Sequence, residues 1–122
     1  MNHQENFLAL VEELRPYVTE VNVDEVNNNL KNQEDFVLID VREDYEWQLG
    51  HLPSAIHLAR GIIERDIETQ VSNKDTKLVL YCGGGYRSIL AAYNIQKMGY
   101  KNVFSMAGGV RDWINKDFKM VK

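Results

Sequence analysis

KLVLYCGGGYRS, residues 77–88, sets an apolar run against a cysteine, three consecutive glycines and an arginine. The run is continuous and of strand length, the pattern of a strand buried on both faces. After the glycines, Ala91, Ile95 and Met98 recur at helical spacing, and Gly99 closes the stripe. Glycine costs roughly 0.5–1 kcal/mol relative to alanine inside regular structure, so three in succession serve a backbone shape.

The same alternation extends outward from this unit. FVLID (36–40) is a second continuous apolar run, AIHL (55–58) and NVFSM (102–106) are shorter strand candidates, and an apolar stretch covers Val18 to Val21. Between them lie helical patterns. Phe7, Leu10, Val11 and Leu14 share one face, and Pro16 marks its end. Asn22 with Glu25 forms an N-cap pair ahead of Val23, Val26 and Leu30, while the tail NNNLKNQ is a weak helix former expected to fray. REDYEWQLG reads as a short helix with carboxylates in its first turn and Gly50 at its stop. Ile63, Ile67 and Val71 mark another helix, and Val110, Trp113 and Ile114 begin the last. Strands separated by helices require crossover connections, which predicts an α/β fold with a mainly parallel sheet and helices on both faces.

A chain of 122 residues accommodates one domain with a true hydrophobic core. Apolar residues at 44% and charged residues at 26%, without long like-charge runs, exclude a disordered chain. The net charge of -4 argues against nucleic acid or an anionic membrane as partner. No stretch has the ~18 apolar residues of a membrane span, and the N-terminus lacks a basic signal region, so a cytoplasmic protein is expected. Cys82 stands alone, which fits a reducing compartment and requires any exchange at its sulfur to involve another molecule.

In parallel sheets, ligands bind beyond the carboxyl ends of strands, and Cys82 is at such an end. Gly83, Gly84 and Gly85 can turn successive amides into one concavity, and the helix beginning near Arg87 directs its positive end there. Both effects favour a thiolate. Arg87 is expected to close the ring with a fork of donors to an oxyanion. A lone cysteine after an apolar strand is most often an inert core residue, but such a residue needs neither the glycines nor the arginine. The loop lacks the lysine and spacing of a P-loop, and no glycine pattern follows the first long strand as a dinucleotide site requires. His3, His51 and His57 are not at ligand spacing with Cys82, so neither metal nor cofactor is expected.

Over roughly residues 20–118 the sequence resembles the rhodanese-like sulfurtransferases. The resemblance rests on LIDVREDYEWQLGHLPSAIHL (38–58), LVLYCGGGYRS (78–88) and MAGGVRDWI (106–114). It implies a rhodanese-like domain with a five-stranded parallel sheet, assigned to 20–122. The N-terminal helical extension at 1–19 precedes it; its helix lies outside the resemblance and is expected to pack against the domain or a partner through Phe7, Leu10 and Leu14. It further implies that Cys82 is the persulfide-bearing nucleophile, with the amides of residues 83–87 holding the persulfide. The expected activity is that of a thiosulfate sulfurtransferase: thiosulfate or a small persulfide donates, and a thiol or cyanide accepts. A carrier or docking module that passes the persulfide to a protein partner is the alternative. Related phosphatases and arsenate reductases have one more loop residue than the four between Cys82 and Arg87, which disfavours that chemistry.

Other residues carry two readings each. Asp40 and Arg42 are expected to support the loop as an internal pair. Arg60 either lines the substrate mouth or is a solvated surface residue, and Tyr86 either shapes the entrance or packs. Ser88 is counted with the substrate-binding residues and caps or steadies the helix start, His51 is a turn residue, and Trp47 and Trp113 are assigned to the core. Ser54 stands where the family has glycine, and Met106 where it commonly has an acidic residue.

Overall fold

In the computed structural model, which describes residues 3–122, helix and strand alternate along the chain. Helix α1 (Glu5–Leu14) passes into a 3-10 turn at Arg15–Tyr17, because Pro16 has no amide to extend the α-helical ladder. Strand β1 (Thr19–Val21), helix α2 (Val23–Lys31), β2 (Val37–Asp40), α3 (Asp44–Leu49), β3 (Ile56–His57) and α4 (Ile63–Gln70) follow. The chain then forms β4 (Leu78–Tyr81), α5 (Arg87–Lys97), β5 (Val103–Met106) and α6 (Gly109–Asn115).

The five strands lie in the order β1-β5-β4-β2-β3, and every neighbouring pair is parallel. Central β4 shows why its sequence is apolar throughout. Leu78 and Leu80 enter the core shared with α1, α4 and α5, whereas Val79 and Tyr81 enter the core shared with α2 and α6. Both faces are therefore dry. From β2 the chain moves outward to β3 on one side, and from β4 to β5 on the other. The strand order thus reverses between β2 and β4, and the crevice beyond their carboxyl ends is where such sheets bind ligands.

Three expectations need correction. The asparagine-rich tail of α2 does not fray: the helix reaches Lys31, Asn29 is buried, and Asn32 N–H donates to Asn28 O at 2.9 Å. Gln33 then stops it in a left-handed conformation, φ 55°. On α1, Val11 rather than Leu10 is the anchor; Val11 is fully buried, with Phe7 and Leu14 packed at its sides, while Leu10 is 45% exposed. The seam facing α5 is narrower than the apolar stripe in the sequence. Trp113 is in the core, but Trp47 is half-buried and stacks on His51 at 3.5 Å and on His57 at 5.0 Å between ring centres. Helix α3 is six residues long and buries none of them, so its indole finds imidazoles instead of the core.

Ser54 has φ 68°, so serine here occupies a left-handed position that glycine adopts more readily. No helix among the described residues is long and apolar enough to cross a membrane.

Candidate active site

Asp40 ends β2 with its carboxylate fully buried, and Arg42 two residues later turns back onto it. Arg42 Nη2 donates to Asp40 Oδ2 at 2.8 Å and to Gly50 O at 2.7 Å, and the Arg42 amide donates to Asp40 Oδ1 at 2.9 Å. Burial works against the Arg42 charge, yet its hydrogen bonds and attraction to Asp40 outweigh burial and raise its pKa. Tyr81 Oη beside this pair accepts the Leu52 amide at 3.1 Å. Burial foremost, then the Asp40 charge, pushes the phenol well above its ordinary pKa. These groups tie the end of β2 and the end of β4 to the turn after α3. Neither Asp40 nor Arg42 lines the cavity described next.

Beyond β4 the chain enters a cavity of about 390 Å³, with Cys82, Gly83 and Gly84 at its base. Cys82 is 1% exposed, so its sulfur lies at depth rather than on the surface. The Gly85 amide donates to Cys82 Sγ at 3.2 Å. Among the described residues, the amides of Gly83, Gly84, Tyr86 and Arg87 donate to no other protein group. Behind the sulfur, Ser88 Oγ lies 3.6 Å away and shares a 2.7 Å hydrogen bond with Ser105 Oγ of β5; both serines are fully buried. Ser88 therefore backs the sulfur instead of lining the cavity.

The three glycines serve different purposes. Only Gly85 requires positive φ, at 94°. Gly83 and Gly84 make room: a Cβ on Gly83 would stand 3.2 Å from Arg87 Nη2, and one on Gly84 would stand 3.3 Å from Arg111 Nη2. Two guanidinium groups thus press against the loop. From below, the start of α6 holds it through Val110 N–H to Cys82 O at 2.9 Å and Arg111 N–H to Gly83 O at 3.0 Å.

Arg87, expected to offer a fork of donors to an oxyanion, has a carboxylate partner within the protein. Glu46, in the first turn of α3, occupies the guanidinium with Nη1–Oε1 at 2.8 Å and Nη2–Oε2 at 3.1 Å. The hydrogen bond to Glu46 raises the Arg87 pKa, and the nearby Cys82 charge adds to the effect. In return, Arg87 holds the Glu46 carboxyl below the usual carboxylate range. A carboxylate depressed on folding stabilises the fold above its unfolded pKa of about 4.3, and that stability is lost as pH falls through the lower folded value. Glu46→Gln should consequently cost about 1 kcal/mol near neutral pH after solvent screening, with the gap in melting temperature closing below about pH 4. Thermal melts of both proteins across pH 2.5–7 measure this.

Tyr86 both packs and faces the cavity: its ring meets His3 at 4.6 Å and Phe7 at 6.3 Å, and all three line the space. Arg60 does not line it; it lies before α4, half-buried, with Nε lacking a partner among the described residues. Glu46, Arg111, Tyr45, Phe7, His3 and Ser105 escaped the sequence reading as site residues. Glu46 had a local signal, an acidic residue in the first turn of a helix after an active-end strand, while the others converge only in three dimensions. Among the described residues, no cluster of His, Cys, Asp and Glu is placed to hold a metal ion.

The sequence profile of the rhodanese-like domain matches residues 22–116. YrkF of Bacillus subtilis, whose name provisionally makes it a sulfur carrier protein, is 28% identical over 99 residues, covering 81% of this chain and 52% of that protein. A tRNA uridine(34) hydroxylase of Photorhabdus laumondii is 32% identical over 97 residues, covering 76% of this chain and 27% of the hydroxylase. The chain thus spans between a quarter and about half of these relatives. Among solved structures, a Rhodopseudomonas palustris protein of unknown function, described as a possible tyrosine phosphatase, superposes with TM-score 0.87 at 27% identity over 99% of this chain and 98% of its own. The human single-domain sulfurtransferase TSTD1 shares the fold, with TM-score 0.71 at 23% identity over 81% of this chain and 97% of its own. With one profile running from the residue before α2 to the residue after α6, and one of the relatives named as a sulfur carrier, the chain belongs to the rhodanese-like domain family.

Proposed function

We propose that this protein is a sulfurtransferase in which Cys82 carries a sulfane sulfur as a persulfide. In the loading step the Cys82 thiolate attacks the outer sulfur of thiosulfate. The S–S bond of the donor breaks, and sulfite leaves with the electron pair. A small persulfide can load the enzyme in the same way, with a thiolate leaving. In the unloading step an acceptor thiolate or cyanide attacks the outer sulfur of the Cys82 persulfide and regenerates the Cys82 thiolate, giving a new persulfide or thiocyanate.

The observation that carries this reading is the sulfur of the chain's one cysteine, at the base of a cavity, receiving the Gly85 amide at 3.2 Å beneath a loop flanked by two guanidinium groups. That amide can hydrogen-bond the sulfur as thiol or as thiolate. The Ser88–Ser105 pair supports either state. With Ser105 donating to Ser88, the Ser88 hydroxyl is available to the thiolate; with the direction reversed, Ser88 Oγ accepts the thiol proton.

Incubation with thiosulfate should add one sulfur atom to the intact protein, removable by cyanide as thiocyanate. Intact mass without an adduct overturns the proposal. The name of the Bacillus relative favours a second reading, a persulfide carrier that serves a protein acceptor. Steady-state turnover with small thiols separates the two: a carrier loads once and turns over slowly. The four-residue span from Cys82 to Arg87 disfavours phosphate monoester hydrolysis, and an aryl phosphate should remain uncleaved.

A further inference from the structure

We infer that the cavity over Cys82 contains an organic-anion subsite, in which Arg111 takes the acidic group of the sulfur donor and the rings of Phe7, Tyr86 and Tyr45 hold its carbon body. This inference rests on the sulfur-transfer reading and specifies the substrate class.

Size is the first argument. A cavity of about 390 Å³ equals about thirteen water volumes, and thiosulfate, an ion of five heavy atoms, leaves most of it unfilled. Charge is the second. Arg87 is paired with Glu46 through two hydrogen bonds, so that wall presents a neutral pair rather than a free cation. Arg111 also lines the cavity, is exposed, and has no ion-pair partner among the described residues. Its Nη2 reaches the loop beside Gly84, two residues from the nucleophile. Arg111 is thus the unpaired guanidinium at the cavity among the described residues, placed to take the single negative charge of an organic monoanion.

The third argument is the wall. His3 and Phe7 approach Tyr86 and each other at ring separations of 4.6 to 6.3 Å, forming an aromatic side to the cavity. Both precede the matched family segment at 22–116, so this part of the wall lies outside the family profile. Aromatic faces gain about 0.5–1.5 kcal/mol from a ring beyond area burial, and a small inorganic ion cannot use that term. Pockets with apolar walls and one or two placed charges bind organic molecules with an ionic end.

Benzenethiosulfonate and methanethiosulfonate test the subsite. In either, Cys82 Sγ attacks the terminal sulfur, the bond to the sulfonyl sulfur breaks, and the sulfinate leaves with the electron pair. Single-turnover loading is followed by intact mass, with each rate divided by that of free cysteine to remove intrinsic reactivity. The wild type should favour the benzene compound by about tenfold. Phe7→Leu, which retains apolar volume, and Tyr45→Ala, at a 67% exposed position, each probe the aromatic wall. Loss of at least half the preference in either is expected. Arg111→Gln should slow both donors about tenfold, and Arg111→Lys should recover most of the loss. The subsite is overturned if Arg111→Gln loads at the wild-type rate, or if neither aromatic variant changes the preference. In those cases sulfur transfer at Cys82 still stands. Failure of thiosulfate and both thiosulfonates to load the wild type overturns both proposals.

Discussion

Cys82→Ser should lower sulfur uptake from thiosulfate by about a thousandfold or more, to the level of the uncatalysed reaction, while the protein remains folded. The chain contains no second cysteine to substitute for the first. Serine is close in shape and can accept the same Gly85 amide, so the loss in stability should be about 1 kcal/mol. Its hydroxyl is a far weaker nucleophile, and no imidazole among the described hydrogen bonds contacts position 82 to activate it. Intact mass after thiosulfate treatment reads the first effect, and a thermal melt reads the second. Retention of the adduct by Cys82→Ser would place the sulfur elsewhere and end the proposed mechanism.

Gly109→Ala should produce the largest loss of stability. Gly109 has φ 57°, and a Cβ there would lie 2.5 Å from Cys82 O and 2.6 Å from Gly83 O. Both contacts are with backbone that accepts hydrogen bonds from Val110 and Arg111, so neither can yield without separating α6 from the nucleophile loop. Left-handed strain of about 1–3 kcal/mol combined with this collision gives an expected cost of about 3 kcal/mol or more, roughly a 10 °C fall in melting temperature. Gly99→Ala is the control. Gly99 has φ 103°, but its Cβ site has nothing within 4 Å, so the variant should lose only the strain energy and load sulfur normally. Equal stability losses at the two positions would show that crowding at the loop contributes nothing.

The fold, and the loop that carries the proposed nucleophile, could be read from sequence because their signals are local. An apolar strand, a glycine turn and a helical stripe follow one another between residues 77 and 99, and strand-helix alternation restricts the sheet to parallel crossovers. The loop's electrostatics were less legible. Arg87 carries the same residue type in either role, and only the fold brings Glu46, distant in sequence, within 2.8 Å of it. The same applies to Gly83 and Gly84, which have no unusual φ and whose close neighbours are guanidinium groups from α5 and α6. Trp47 was misassigned because a large apolar side chain on a short helix need not reach either face of a sheet. Leu10 failed for a related reason: an apolar stripe can be wider than the seam it packs into.

The first strand of the sheet has the last as its neighbour, with Thr19 opposite Phe104 and Val21 opposite Met106. During synthesis β1 emerges early and must wait, unpaired, until residue 106 has cleared the ribosome. Closing so long a loop makes the final pairing the slow event of folding, and a nascent chain halted before it exposes the apolar edge of β4. A ribosome-bound chain stalled short of β5 should therefore be protease-sensitive and bound by chaperones, although it already carries Cys82.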